Sequence, residues 1–428
     1  MSTIITLTED PLVRSWLFAD KGALVSRISQ KQKVILVCRK DNLGDVTNFL
    51  NMYLVNQELV SAVSLDKCDE SKFHKLFGFL MRYSEKSDGN SRLRNLLYER
   101  KKITFIGLKF RNMINSLLSR LKISAVFLRW AYGLIPNNLY KDFLLENNCN
   151  FLLCTSLTNF NYDAELLRVA KKLNIENIGS PRSWDNLVSH GLLRVIPDIF
   201  LSHSTYMTEC AIKYQYLSLS RIIETGTSTY RALFLPIEGK KNTKISVAIG
   251  CVGPNSNPSE YKFISEFIPK ATAIYPNLEI TIIQHPRFKH PMGFDFNQTK
   301  ETFFEFKNFE SLKSYYATLK QFDLLLTSGS TIGLDALFVG TPVECYFIDL
   351  VKTGYWESSS RYLSHRTHYK DFINKMNLAV HDSIDSIIKS IEELSDNRKI
   401  PPTVPTYFTG YPTRDFDSII INAVNITS

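Results

Sequence analysis

With 428 residues, 44% of them hydrophobic and 22% charged, the chain is too apolar to be disordered and too long for one typical core, so two domains are expected. Its seven cysteines, at positions 38, 68, 149, 154, 210, 251 and 345, lack paired metal-ligand spacing, which excludes a zinc site and points to reduced, mostly buried thiols in a cytoplasmic protein. The net charge of +9 raises nucleic acid as a partner, but the signatures of DNA- and RNA-binding folds are missing, so no nucleic acid is expected.

Residues Thr3–Leu7 predict a first strand, ended by Glu9, Asp10 and Pro11, with a helix starting over Leu12–Phe18. The opening residues have no basic n-region, and no run of about 18 apolar residues follows anywhere, so neither a signal peptide nor a membrane span is expected. Lys33–Cys38 is a second, fully apolar strand. It leads into a Gly-containing loop, Asp41–Asp45, and a helix over Val46–Val55, a pattern that fits either a phosphate cradle or an ordinary turn. Residues 66–100 are polar with scattered aromatics and predict helix and surface loop.

From Arg100 to Arg129 the chain carries eight Lys or Arg and no acid, interleaved with Phe, Ile, Leu, Met and Val. A basic amphipathic segment of this kind suits an anionic membrane surface; a solvated basic helix face is the plainer alternative. Strands then follow at Asn150–Thr155, Ile175–Gly179, Asp198–His203 and Arg221–Gly226, with helices over Tyr162–Leu173 and Tyr206–Tyr216. Leu235–Thr243 is a polar Pro/Gly connection and marks a domain boundary.

A second series begins at Lys244–Gly250 and continues with a helix over Glu260–Ala273 and a strand at Leu278–Gln284. An aromatic-rich strand and helix occupy 303–320, followed by an apolar strand at Asp323–Leu326. Alternating strands and helices in both halves predict an α/β protein with two doubly wound, Rossmann-like domains of mostly parallel strands. The predicted division is 1–235 for an N-terminal acceptor domain, 236–400 for a C-terminal donor domain, and 401–428 for an extended tail that returns to the N-terminal domain. Apolar helices in the first domain would serve a homodimer as well as a core.

In such folds ligands bind beyond the carboxyl ends of the strands. Four segments fall there. Thr327–Thr331 is a Ser/Gly turn opening a helix, whose free amides suit a diphosphate; Ser328, Gly329, Ser330 and Thr331 are its candidate contacts, with Asp335 one turn on for ribose hydroxyls. A well-capped βαβ turn is the alternative. Gln284–Arg287 follows a strand, and His285 and Arg287 could donate to the same diphosphate. Pro181–Asn186 places Asp185 as a candidate base beside Trp184, on which a sugar could stack, with Arg182 and Asn186 as further acceptor contacts; an Asp N-cap is the alternative. Gly226 and Thr227 open a hydroxyl-rich loop at the last strand end. Glu9 and Asp10 also follow a first-domain strand and stand behind Asp185 as bases. Downstream, Tyr355, Arg361, His365, His368 and Tyr369 form a polar-aromatic cluster.

Together these segments resemble the GT-B glycosyltransferases, especially bacterial surface-polysaccharide (O-antigen and capsule) enzymes. The resemblance rests on Ser183-Trp-Asp-Asn-Leu187, Thr225-Gly226, Gln284-His-Pro-Arg287, Ser328–Thr331, Asp335-Ala336 and Gly340-Thr-Pro-Val343, over roughly residues 150–345. Asp335 stands where relatives commonly carry Glu, and the stretch Gly226–Tyr230 departs from the family's pattern. The resemblance implies transfer of a sugar from an activated, nucleotide-diphosphate donor to a surface glycan or lipid-linked acceptor. It also implies metal-independent chemistry without a cofactor; the basic Arg100–Arg129 segment would bring such an enzyme to the inner face of the cytoplasmic membrane. A non-hydrolysing nucleotide-sugar epimerase, a teichoic-acid-type polyol-phosphate transferase and a non-catalytic nucleotide-binding subunit remain alternatives.

Overall fold

A computed structural model describes residues 1–7, 24–52, 58–65, 71–85, 87–119, 122–136, 139–157, 161–226, 244–253, 257–285, 299–302, 304, 309–329, 331–358, 360, 363–364, 366–396, 406–410 and 416–427. Two parallel sheets organise them. In the first, strands β1 (Ser2–Thr6), β2 (Lys33–Arg39), β3 (Val60–Leu65), β4 (Cys149–Cys154), β5 (Glu176–Gly179), β6 (Ile199–Ser202) and β7 (Ile222–Glu224) lie in the order β3-β2-β1-β4-β5-β6-β7. In the second, β8 (Ser246–Gly250), β9 (Glu279–Ile283), β10 (Thr299–Thr302), β11 (Leu324–Thr327), β12 (Val343–Tyr346) and β13 (Val380–His381) lie in the order β10-β9-β8-β11-β12-β13. Each order reverses at one point, between β1 and β4 and between β8 and β11, and leaves a crevice at the strand ends.

The central strands are apolar runs because helices cover both their faces. Successive residues of one strand serve opposite cores: Ile5, Leu36 and Leu153 pack under the helices Leu24–Ile28 and Phe416–Thr427, whereas Ile4, Ile35 and Leu152 face the helix Asn161–Lys172. The second sheet repeats the arrangement, with Val247, Ile249 and Leu326 against the helix Glu260–Ile274 and Ala248 and Leu325 on the other side. That other core is shared by both domains through Trp184, Tyr206, Phe372 and Phe408.

Three local expectations change. No loop occupies Asp41–Asp45: a 3₁₀ turn over Lys40–Asn42 runs directly into the helix Leu43–Met52, and Gly44 lies inside that helix, so no phosphate cradle forms there. The strand β3 has no counterpart in the sequence reading, because its Val/Ser/Ala alternation is that of a half-buried edge rather than an apolar run. The C-terminal tail is not extended throughout; its described parts are a helical turn at Thr406–Thr409 and the helix Phe416–Thr427. Phe416, Ile420 and Val424 of that helix are buried in the first domain's core, and Lys31 donates to Asn425 at 2.8 Å.

Candidate functional site

At the first switch point, Thr6 Oγ1 donates to Asp163 Oδ2 at 3.0 Å and accepts from the Thr155 amide at 3.1 Å, while the Ser156 amide donates to the same Asp163 oxygen at 3.1 Å. This network fixes the ends of β1 and β4. The candidate bases Glu9 and Asp10, which follow β1, lie outside the described residues.

At the second switch point a buried carboxylate does similar work. Glu260 accepts from the Val252 and Gly253 amides at 2.9 and 2.8 Å, and the Ser328 and Tyr346 hydroxyls approach it at 3.4 Å. Burial pushes its carboxyl up to about 7, against the pull of those amides. Asn257 donates to Ser328 Oγ at 3.1 Å. Ser328 is therefore a buried tether between the loops after β8 and β11, not an exposed phosphate ligand. Gly329, at φ +133°, takes a backbone conformation that side chains rarely adopt, and an added Cβ would lie 3.5 Å from Leu363.

Thr331 is exposed at the start of the helix Ile332–Phe338, without a side-chain cap bond. That helix has only seven residues, so its dipole is small. Asp335 accepts from Tyr315 Oη at 2.9 Å, which already engages the carboxylate expected at a ribose. Burial, with Asp335 beside it, holds the Tyr315 hydroxyl well above its usual range. His285 is half-buried at the end of β9; Arg287, Ser330, Thr227, Arg361 and His365 lie outside the described residues. Gly226, at φ +76°, is covered by the tail, since a Cβ on Gly410 would come within 2.6 Å of its Cα; this position faces the tail's backbone rather than an open nucleotide site.

The loop after β5 meets the second domain. Trp184, 6% exposed, sits among Tyr206, His368, Phe372 and Phe408 at ring separations of 5.9, 5.0, 5.7 and 5.7 Å. It cannot offer an open face to a sugar; four aromatic rings from the first domain, the second domain and the tail already surround it. Its buried Nε1–H has no hydrogen-bond partner among the described residues. Asn186 accepts from the Ser183 amide at 2.8 Å and is buried, so it shapes the loop rather than facing an acceptor.

Asp185 stands at the N-cap of the helix Asn186–Ser189, but its side chain does not cap it. The carboxylate instead accepts from Ser189 Oγ at 3.1 Å and lies 4.0 Å from the Arg366 guanidinium across the domain boundary. Burial would raise its pKa, but His368, Arg366 and His190 outweigh that and hold it well below the usual carboxylate range. In this arrangement Asp185 is ionised and a weak proton acceptor. Burial and Arg366 press His368 down to about 3, despite Asp185. Burial also lowers His190, against Asp185, with Arg182, Arg366 and Arg82 adding to the effect. Arg366 and two imidazoles thus face the Asp185 carboxylate, and Arg182 and Arg82 stand beside His190. His368 and Arg182 stand out in the sequence; Arg366, His190, Arg82 and Glu260 do not, and for Arg366 the only hint was its place inside the polar-aromatic stretch 355–369.

No family model and no curated protein sequence matches the chain. Solved structures do. A UDP-N-acetylglucosamine 2-epimerase described as putative, from Listeria monocytogenes, matches with a TM-score of 0.53 at 10% identity, over 99% of this chain and 95% of its own. The UDP-GlcNAc 2-epimerase of Neisseria meningitidis, solved with UDP-GlcNAc, matches at 0.52 and 12% identity over 100% of both chains. Staphylococcus aureus MnaA, solved with UDP, matches at 0.53 and 10% identity over 99% of this chain and 95% of its own. The chain has the GT-B fold. Identities this low establish the architecture, two Rossmann-like domains facing a cleft, and nothing finer.

Proposed function

We propose that the protein binds a nucleoside-diphosphate sugar between its domains and transfers the sugar to a surface glycan or lipid-linked acceptor. The observation that carries the donor half of this reading is Arg366 and His190 beside the Asp185 carboxylate, with Arg182 and Arg82 beside His190, at the strand ends. Guanidiniums in excess over carboxylates suit a diphosphate, which accepts bidentate, charge-assisted hydrogen bonds. In transfer, the bond from the anomeric carbon to the diphosphate oxygen breaks and one to the acceptor oxygen forms. The acceptor's proton is lost to a base or water, and the nucleoside diphosphate leaves with its added charge balanced by the guanidiniums. A diphosphate that draws Arg366 away from Asp185 would raise the carboxylate's basicity just when a base is needed.

The order of the motifs from Ser183-Trp-Asp-Asn-Leu187 to Gly340-Thr-Pro-Val343 favours transfer. Epimerisation is the second reading, favoured because the solved structures with TM-scores above 0.5 include nucleotide-sugar 2-epimerases. A panel of nucleoside-diphosphate sugars separates the two. The protein should release nucleoside diphosphate from one donor only when a glycan or lipid-linked acceptor is added. Conversion of the donor to its C2 epimer without acceptor would replace transfer by epimerisation, and inertness toward every donor would remove both.

A further inference from the structure

Helices Phe105–Leu118 and Lys122–Gly133 are apolar on the side that packs inward and apolar on the side that does not. Leu108, Ile114, Ala125, Leu128 and Tyr132 are buried. On the outer side, Ile106 is 79% exposed, Phe110 51%, Leu117 63%, Ile123 71%, Phe127 58% and Trp130 60%. Their spacing places them along one stripe per helix, opposite the buried one. A surface helix normally turns polar residues to water, so two successive helices that do not are shaped for something other than water.

The charge on the helices that carry these stripes, and on the one packed against both, is one-sided. Neither helix contains an acid, and neither does Lys72–Ser84, the helix that packs against both. Lys72, Lys75, Lys101, Lys102 and Lys109 are exposed. The Lys109 ammonium lies over the Phe105 ring, 4.5 Å from its centre, so a cation accompanies the exposed aromatic face. No helix among the described residues is long and apolar enough to cross a membrane.

From this pairing of exposed aromatic and aliphatic stripes with acid-free helices and exposed lysines, we infer that the helices 72–84, 105–118 and 122–133 form a docking face for an anionic lipid bilayer. Apolar side chains enter the acyl boundary, and the lysines meet the headgroup phosphates. A second copy of the chain is a poorer occupant, because a self-complementary interface would set these cations against their own images. Nucleic acid would use aromatic platforms and has no use for Ile106, Leu117 and Ile123. The face stands independently of the reaction proposed above.

The test is sedimentation of the full chain with vesicles of phosphatidylcholine alone and of phosphatidylcholine with phosphatidylglycerol. The protein should partition onto the anionic vesicles, and added salt should release it. Lys101→Glu with Lys102→Glu and Lys109→Glu should lower partitioning about tenfold or more, and so should Phe127→Ser with Trp130→Ser. All five side chains are exposed, so an unchanged circular dichroism spectrum and melting curve should accompany both losses. Brominated lipid should quench wild-type tryptophan fluorescence but not that of Trp130→Phe. Failure to sediment with anionic vesicles would overturn the inference. So would partitioning unaffected by either set, or a dimer that dissociates in Phe127→Ser with Trp130→Ser while lipid is ignored.

Discussion

Asp185 and His368 show how far a residue's chemistry depends on what faces it. As an isolated Ser-Trp-Asp-Asn loop, Asp185 reads as a base or a helix cap; beside Arg366, His190 and His368 it becomes the fixed anion of an interdomain ion cluster. The cost falls on His368, held neutral at about 3 against an ordinary 6.5. Between those values the unfolded chain binds the proton and the folded chain does not, so the contribution to stability is complete above about pH 6.5 and is lost as pH falls. Glu260 works in the opposite sense: raised to about 7 from an ordinary 4.5, it contributes fully below about pH 4.5 and loses that contribution as pH rises to about 7. The prediction is that His368→Phe, which keeps an aromatic edge against Trp184, flattens the fall in melting temperature between pH 7 and pH 5. A fall as steep as wild type's, measured by calorimetry, would mean that His368 is not the group responsible. None of this was legible locally, since the partners of Asp185 and Trp184 come from helices far along the chain.

At the level of elements the alternation of strand and helix was legible wherever burial on both faces demanded an apolar run, as in β2, β8 and β11. It failed where an element's role is set by position in the sheet: β3 alternates Val with Ser and Ala because it is an edge. The Ser/Gly turn after β11 was visible as a strand-to-helix junction, but not that Glu260 and Asn257 would tether its first serine. The C-terminal elements carry a test. Gly410, at φ +70°, lies against the His203 carbonyl and Gly226, where the tail passes between the helices Thr205–Gln215 and Ile332–Phe338. Gly410→Ala adds a methyl where there is no room and a left-handed backbone that alanine resists. It should cost roughly 2 kcal/mol or more in urea unfolding. A loss below about 0.5 kcal/mol would show that the tail is not held at this point.

The described residues form two parallel sheets whose carboxyl ends meet through a shared apolar core and the Arg366–Asp185 pair. The fold was legible because both halves repeat one supersecondary pattern. The site was legible only as a set of strand ends, because the arginines that distinguish it carry no periodicity or spacing of their own. In the proposed function, the interdomain cluster around Asp185 and Arg366 holds the diphosphate of a nucleotide sugar. Calorimetric titration of nucleoside-diphosphate sugars into wild type and Arg366→Ala tests that most directly. At least one donor should bind wild type, and its Kd should rise about tenfold or more in the variant, as the loss of a charge-assisted pair requires. Equal affinity in the two proteins, or no binding of any donor to wild type, would contradict it.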